Sequence, residues 1–265
     1  MTKKLLLPLI LGASALFSCS DITEDDRFIK VDSVTPQRAV LLEEFTGQDC
    51  RNCPTAHREL AMLIEQYPDN LIPVSIHAGD FAISCTARRP GLMQPEGNSY
   101  NDRYGIDEWP KGVIDGQGEP LNFDKWSDAL RAALARPASL NIDIAASIAE
   151  ATPDVIDIKC ELKPTADLSG TLYIWVLEDG IVARQIDNGE VVSDYVHNHV
   201  YRAAANGVEG QGISLKANIH TTVECNTPVR ATEKETWNTT NLTIVAFVRN
   251  PDGSVAQTAR CHVAI

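Results

Sequence analysis

The stretch Ala39-Val-Leu-Leu-Glu-Glu-Phe-Thr-Gly-Gln-Asp-Cys50-Arg-Asn-Cys53-Pro54 is an apolar run that breaks at Gly47 and delivers two cysteines in Cys-x-x-Cys spacing. It reads as strand, turn and helix start, with Asp49 as the N-cap. Two thiols separated by two residues at a helix N-terminus can close a small disulfide ring. The backbone N–H groups and the helix dipole there favour a thiolate on the first sulfur. Redox exchange, a structural disulfide and half of a zinc site are the three chemistries that this spacing serves. Ala56, Leu60, Leu63, Ile64 and Tyr67 then recur at helical spacing. Pro68-Asp69-Asn70 ends that helix, and Leu71-Ile-Pro-Val-Ser-Ile-His77 reads as a buried strand. Strand, helix and strand in this order predict a parallel, right-handed unit.

Toward the N-terminus, Lys3-Lys4 precedes an apolar run from Leu5 to Phe17 that is too short to span a bilayer as a mature helix. Leu16-Phe17-Ser18-Cys19 resembles the lipobox of bacterial lipoproteins, although Phe17 is bulkier than the usual residue. Residues 1–18 are therefore expected to be a signal peptide, with Cys19 the lipidated residue that anchors the chain to a membrane. Residues 19–37, with Asp21, Glu24, Asp25 and Asp26 and no sustained apolar period, read as a flexible tether. The formal charge of the 265-residue chain is -13, and loss of Lys3 and Lys4 with the leader makes it -15. Such acidity argues against nucleic acid as a partner. With 44% hydrophobic and 22% charged residues, the chain has material for a sizeable core.

Export makes disulfides persistent. With Cys19 assigned to lipid and Cys50 and Cys53 to each other, Cys85, Cys160, Cys225 and Cys261 leave zero, one or two further bridges open. The last three fall on the inward phase of their expected strands and read as small buried hydrophobes.

Toward the C-terminus, Ala78 to Ser99 holds scattered Gly and Pro and reads as a loop. Tyr104-Gly-Ile-Asp-Glu-Trp109-Pro110-Lys-Gly-Val-Ile-Asp-Gly116 sets a proline just ahead of a short apolar strand. Asn122 is the expected N-cap of a helix with Trp126, Leu130 and Leu134 on its inner face. Helical periodicity stops at Arg136-Pro137, the expected domain boundary. Alternation then runs through Leu140 to Ile148 and Val155 to Leu162, and strand stretches Thr171 to Leu177, Ile213 to Cys225, Leu242 to Val248 and Val255 to Ile265 follow, which suggests an antiparallel β-sandwich. No metal and no cofactor are expected. Cys53 and His57 share a helix face, but no second cysteine pair completes a tetrahedral set, and His197 with His199 would be a pair only if their stretch is a strand.

Two blocks, Val40 to Pro54 and Tyr104 through Pro110 to Gly116, resemble the active-site segment and the cis-proline loop of thioredoxin-like proteins. The whole chain, and Thr46-Gly-Gln-Asp-Cys-Arg-Asn-Cys-Pro54 above all, resembles the Omp28-related family of outer-membrane lipoproteins. The resemblance implies a thioredoxin-like α/β domain over residues 38–136 and an all-β, Ig-like antiparallel sandwich over 137–265. It also implies a site in which Cys50 is the exposed nucleophile, Cys53 the resolving thiol, Pro110 the cis proline and Glu44 a buried acid, with Glu43 facing solvent. Trp109, Tyr104, Arg51 and Asn52 would shape the substrate groove. Asp49 and Arg51-Asn52 depart from the thioredoxin pattern of an aromatic before the first cysteine and Gly-Pro between the pair. The expected function is an exported, lipid-anchored thiol–disulfide oxidoreductase acting on protein or peptide disulfides in the cell envelope. The alternative is a non-enzymatic outer-membrane or surface lipoprotein that uses the same scaffold to bind a partner.

Overall fold

The computed structural model describes residues 37–85, 91–229 and 237–265. The expected signal peptide, Cys19 and the expected tether up to residue 36 lie outside the described residues.

Strand β1 (Val40–Thr46) leads through the Gly47–Asn52 turn into helix α1 (Cys53–Gln66), and β2 (Leu71–His77) returns parallel to β1 with Val40 opposite Leu71 and Thr46 opposite His77. This is the expected strand–helix–strand unit. The residue at the N-cap is Asn52, with Pro54 in the first turn; Asp49, the expected cap, is engaged elsewhere. Pro95 opens helix α2 (Pro95–Arg103) inside the stretch expected to be loop. Proline is suited to a first turn because its missing N–H would have had no partner there, so a residue read as a breaker is a start.

Strands β3 (Lys111–Ile114) and β4 (Gln117–Leu121) form a hairpin beside β1, and a 3-10 turn at Phe123–Lys125 leads into α3 (Trp126–Leu134). Asn122 stands ahead of that turn without a side-chain cap bond, and its amide oxygen instead accepts from Lys111 Nζ at 2.9 Å.

The remainder is strand: β5 (Leu140–Ile148), β6 (Val155–Pro164), β7 (Leu168–Glu178), β8 (Ile181–Asp187), β9 (Glu190–His197), β10 (Val200–Ala204), β11 (Gln211–Leu215), β12 (Thr221–Pro228), β13 (Leu242–Arg249) and β14 (Val255–His262). The fold is mainly β with mixed sheets. One nine-stranded sheet runs β14-β13-β7-β10-β2-β1-β3-β4, with β11 on β7; β12-β6-β5 and β8-β9 are separate sheets. Ile213 to Cys225, expected to be continuous, breaks into β11 and β12 at a turn in which Asn218 takes a positive φ of 61°. The large sheet crosses Arg136-Pro137: β10 pairs in parallel with β2 at Val200 and Ser75, joining the two segments through backbone hydrogen bonds.

Three cores follow from this arrangement. Val40 and Leu42 of β1 pack with Leu60, Leu63, Trp126 and Leu130 beneath α1 and α3. Leu41 and Phe45, on the opposite face, pack with Ile76, Tyr100, Trp175, Tyr201 and Phe247. Leu140, Ile158, Leu162, Ile174, Ile244 and Val248 fill the space between the three-stranded sheet and the β7–β13–β14 side of the large one. Because β1 is covered on both faces, both of its carboxylates are buried, and the expectation that Glu43 faces solvent fails. Glu43 accepts from the Tyr104 hydroxyl at 2.7 Å and from Arg249 at 3.1 Å, so a buried cation offsets the charge.

Candidate functional site

The Cys-x-x-Cys turn is closed by local geometry and then covered by a distant hairpin. Gly47 is required at the turn because a Cβ there would meet the Phe81 carbonyl carbon at 2.5 Å. Cys50 N–H donates back to Gly47 O at 3.1 Å, and Asp49 N–H donates to Phe81 O at 2.9 Å. Cys50 and Cys53 are joined as a disulfide, with Cα atoms 5.5 Å apart. The β8–β9 hairpin lies over this turn. The side-chain amide of Gln185 donates to Gly47 O at 3.1 Å and to Cys50 O at 3.0 Å. Ile186 N–H donates to Gln48 O at 2.9 Å, Asn188 N–H to Arg51 O at 3.3 Å, and Arg184 pairs with the Asp49 carboxylate. Cys50, expected to be exposed, is only 2% exposed, and Cys53 is fully buried.

What remains open is a cleft of about 510 Å³ lined by Cys50, Arg51, Asn52, Phe81, Trp109 and Ile186. A neighbouring cleft shares Asn52, Phe81 and Trp109 and adds Pro110. The Trp109–Pro110 peptide bond is cis. The structure therefore brings Cys50, Arg51, Asn52 and Trp109 together, with Pro110 alongside. Tyr104 is not part of the group. Its hydroxyl is held between Glu43 and Arg249, where burial and then the Glu43 charge push its pKa upward.

Glu44 belongs to a second cavity of about 80 Å³, which it lines with His57, Ser75, His77, Tyr195 and His197. Ser75 Oγ donates to Glu44 at 2.8 Å, and His57 Nε2 lies 3.2 Å from the same carboxylate and 3.0 Å from Thr46 Oγ1. The other ring nitrogen of His57 is 2.7 Å from the Tyr195 hydroxyl. The His77 and His197 ring centres are 5.4 Å apart, and those of His57 and His197 are 6.5 Å apart. Burial, followed by the charges possible on His197, His57 and Arg202, holds His77 well below the usual imidazole range. Burial and then His57 push His197 down to about 4, against the partial support of Glu44 and the nearby backbone of Ala183 and Arg184. His199, expected to share a strand phase with His197, is instead a turn residue with φ 55° and pairs with Asp179 at 3.1 Å. Among the described residues no three His, Cys, Asp or Glu groups converge as ligands for one metal ion.

Of the other described cysteines, Cys160 is buried and Cys85, Cys225 and Cys261 are half-buried; none of Cys160, Cys225 and Cys261 is bridged. The pairing left open among them is not made. Cys160 sits in the core between the sheets, where burial, with Cys225 and Cys261 nearby, pushes its thiol up to about 12. Cys261 was expected on an inward phase with Val263 and Ile265, but Ile265 is exposed and only Val263 reaches that core.

The residues that sequence reasoning missed are those of the hairpin: Arg184, Gln185, Ile186 and Tyr195. One signal could have found it. Asn188-Gly189 joins β8 to β9 with φ of 50° and 94°, and an Asn-Gly pair between apolar alternations favours a tight hairpin.

No helix among the described residues is long and apolar enough to cross a membrane. The sequence model of the family described as outer membrane protein Omp28 matches residues 97–264. A search of curated proteins finds no match. Among solved structures, HBP35 of Porphyromonas gingivalis superposes with a TM-score of 0.66 at 18% identity, covering 86% of this chain and 76% of that one. A protein from Agrobacterium tumefaciens gives 0.51 at 13% identity over 86% of this chain and 95% of its own. A domain of the outer membrane lipoprotein Omp28 from Porphyromonas gingivalis gives 0.35 at 19% identity over 48% of this chain and 89% of that domain.

Proposed function

Because the chain belongs to the Omp28 family of outer membrane proteins, we propose that it is a non-enzymatic lipoprotein of the outer membrane, anchored through Cys19, in which Cys50–Cys53 is a closed structural bridge. In this reading residues 38–136 are a thioredoxin-like scaffold and 137–265 an Ig-like sandwich, and the clefts beside Trp109 and Pro110 receive a partner protein rather than turn over a disulfide. The observation that carries it is the burial of Cys50, 2% exposed beneath a hairpin that bonds its own carbonyl and that of Gly47. Disulfide exchange needs a thiolate to approach a sulfur in line, so a bridge shielded in this way is slow to exchange.

Equilibration of the purified protein with dithiothreitol couples tests the proposal. The expected reduction potential is below about -300 mV, with no insulin reduction above the reductant alone. A potential between roughly -120 and -270 mV, with insulin reduction lost in Cys50→Ser, would overturn it.

The second reading is thiol–disulfide exchange, favoured by the cleft that Cys50 shares with Trp109 next to the cis Trp109–Pro110 bond. A reductant would first supply two electrons to open Cys50–Cys53. The Cys50 thiolate would then attack a substrate disulfide and expel one substrate thiolate. Cys53 would attack Cys50 Sγ, release the second and restore the bridge. Arg51 and Asn52 would line the approach. Trapping of mixed disulfides by Cys53→Ala separates this reading from the first.

A further inference from the structure

The cavity beside the disulfide loop gathers four histidines: His57 from α1, His77 from β2, His197 from the end of β9 and His199 from the β9–β10 turn. His77 and His197 are 2% and 3% exposed; neither ring nitrogen of His77 reaches a hydrogen-bond partner among the described residues, and the His197 ring faces the backbone of Ala183 and Arg184. The groups facing them are few. From β1 comes Glu44, which Ser75 of β2 and His57 engage; from β9 comes Tyr195, bonded to His57. From β10 comes Arg202, itself 3.3 Å from Glu178, and from the β9–β10 turn His199, paired with Asp179. At the outer end, Arg58 of α1 pairs with Asp187 of β8. Glu44 thus faces the imidazoles of His57, His77 and His197, Arg202 and His199 being matched by Glu178 and Asp179, and His197 sits on the hairpin whose other strand holds the Cys50 turn closed.

We infer that this cluster is an acid-operated latch: when His77 and His197 take up protons, the β8–β9 hairpin lifts from the Cys50–Cys53 loop and uncovers the disulfide. The inference rests on the closed-bridge reading at neutral pH. Two added positive charges in a cavity of about 80 Å³ exceed what Glu44, already engaged by Ser75 and His57, balances. The cheapest relief moves the element that is held mainly by hydrogen bonds, and β8–β9 pairs with neither of the larger sheets. The sign follows from linkage. Imidazoles whose closed-state pKa lies below the open-state value bind fewer protons when closed, so acid favours the open state. With His197 at about 4 when closed and 6.5 when released, the opening equilibrium rises about 30-fold between about pH 7.5 and pH 5. His77 adds to it in the same direction.

The test uses the full-length chain in detergent. Tris(2-carboxyethyl)phosphine, which reduces disulfides in acid, is added from about pH 7.5 to pH 5, with oxidised glutathione as an exposed-disulfide control that removes the reagent's own pH dependence. The expected protein-to-control rate ratio rises at least about 30-fold on acidification in wild type. It changes less than about threefold in the His77→Gln, His197→Gln double variant. Hydrogen exchange of wild-type β8–β9 amides, corrected for intrinsic rates, is expected to lose protection over the same range while β13 keeps its own, and this measurement stands even if the variant fails to fold. A flat wild-type ratio, a variant with the wild-type profile, or unchanged hairpin protection would overturn the latch. Rapid reduction at pH 7.5 is a different failure, because it would sink the closed-bridge reading itself.

Discussion

Replacing Gln185 with methionine isolates the hydrogen bonds that hold the hairpin on the disulfide turn. The side chain is fully buried, and methionine conserves its length while removing the amide. Gly47 O and Cys50 O then lose the donor at 3.1 and 3.0 Å; Gly47 O keeps the Cys50 N–H, so Cys50 O is the acceptor left bare. An orphaned buried acceptor costs about 1–3 kcal/mol. Opening the hairpin lets water reach Cys50 O, so that penalty applies to the closed form alone. A net shift of about 2 kcal/mol corresponds to an about 30-fold larger open population. With opening faster than reduction, the phosphine reduction rate of Cys50–Cys53 at pH 7.5 rises by the same factor. Quenching with iodoacetamide and counting alkylated cysteines by mass reads this directly, with the thiols reactive before reduction blocked beforehand. Folded Gln185→Met with a rate within about twofold of wild type would refute the reasoning, since the closed turn would then owe nothing to Gln185.

Three further outcomes follow from the same geometry. Glu43→Ala strands the Arg249 guanidinium in a buried site and is expected to lower unfolding stability by about 3–5 kcal/mol in urea titrations, whereas Glu43→Leu with Arg249→Met costs much less because no buried charge is left unpaired. Gly79→Ala, at φ 70° and with a Cβ that would lie 1.9 Å from the Trp109 ring, is expected to displace Trp109 from the cleft, read as a changed tryptophan emission maximum together with a loss of about 1–3 kcal/mol. Acidification is expected to weaken the fold: a histidine at about 4 when folded and 6.5 when unfolded contributes no penalty at pH 7.5 and about 2 kcal/mol at pH 5, so the urea midpoint falls over that window and falls less in His197→Gln.

The Cys50–Cys53 pair, α1 and the parallel β1–α1–β2 unit were legible because each is decided within a few turns of chain. Cysteines three apart at a helix start are near neighbours whatever else the fold does. Buried strands such as β2 and β13 announce themselves as continuous apolar runs, and the half-buried β5 and β6 announce themselves by alternation. The buried acid on β1 came from the family resemblance, and the alternation rule that put Glu43 outside presumes a sheet with one wet face. That presumption fails once α1 and α3 cover one side of β1 and the second core the other.

Whether the pair of cysteines is reachable was decided elsewhere. Gln185 lies 135 residues from Cys50, and Tyr195 lies 138 residues from His57. Nothing local in either stretch records those contacts, because they form only when β10 joins β2 and carries the preceding hairpin over the turn. The sequence by itself determined an acidic chain with a leader, a strand-rich C-terminal half and a ring-closing cysteine pair at a helix start. Tertiary structure alone decided that the pair is shut, that Tyr104 serves a buried ion pair instead of the cleft, and that three histidines from distant strands and a helix meet behind it. Local periodicity reports which side of an element is apolar, and only long-range packing decides what lies against that side.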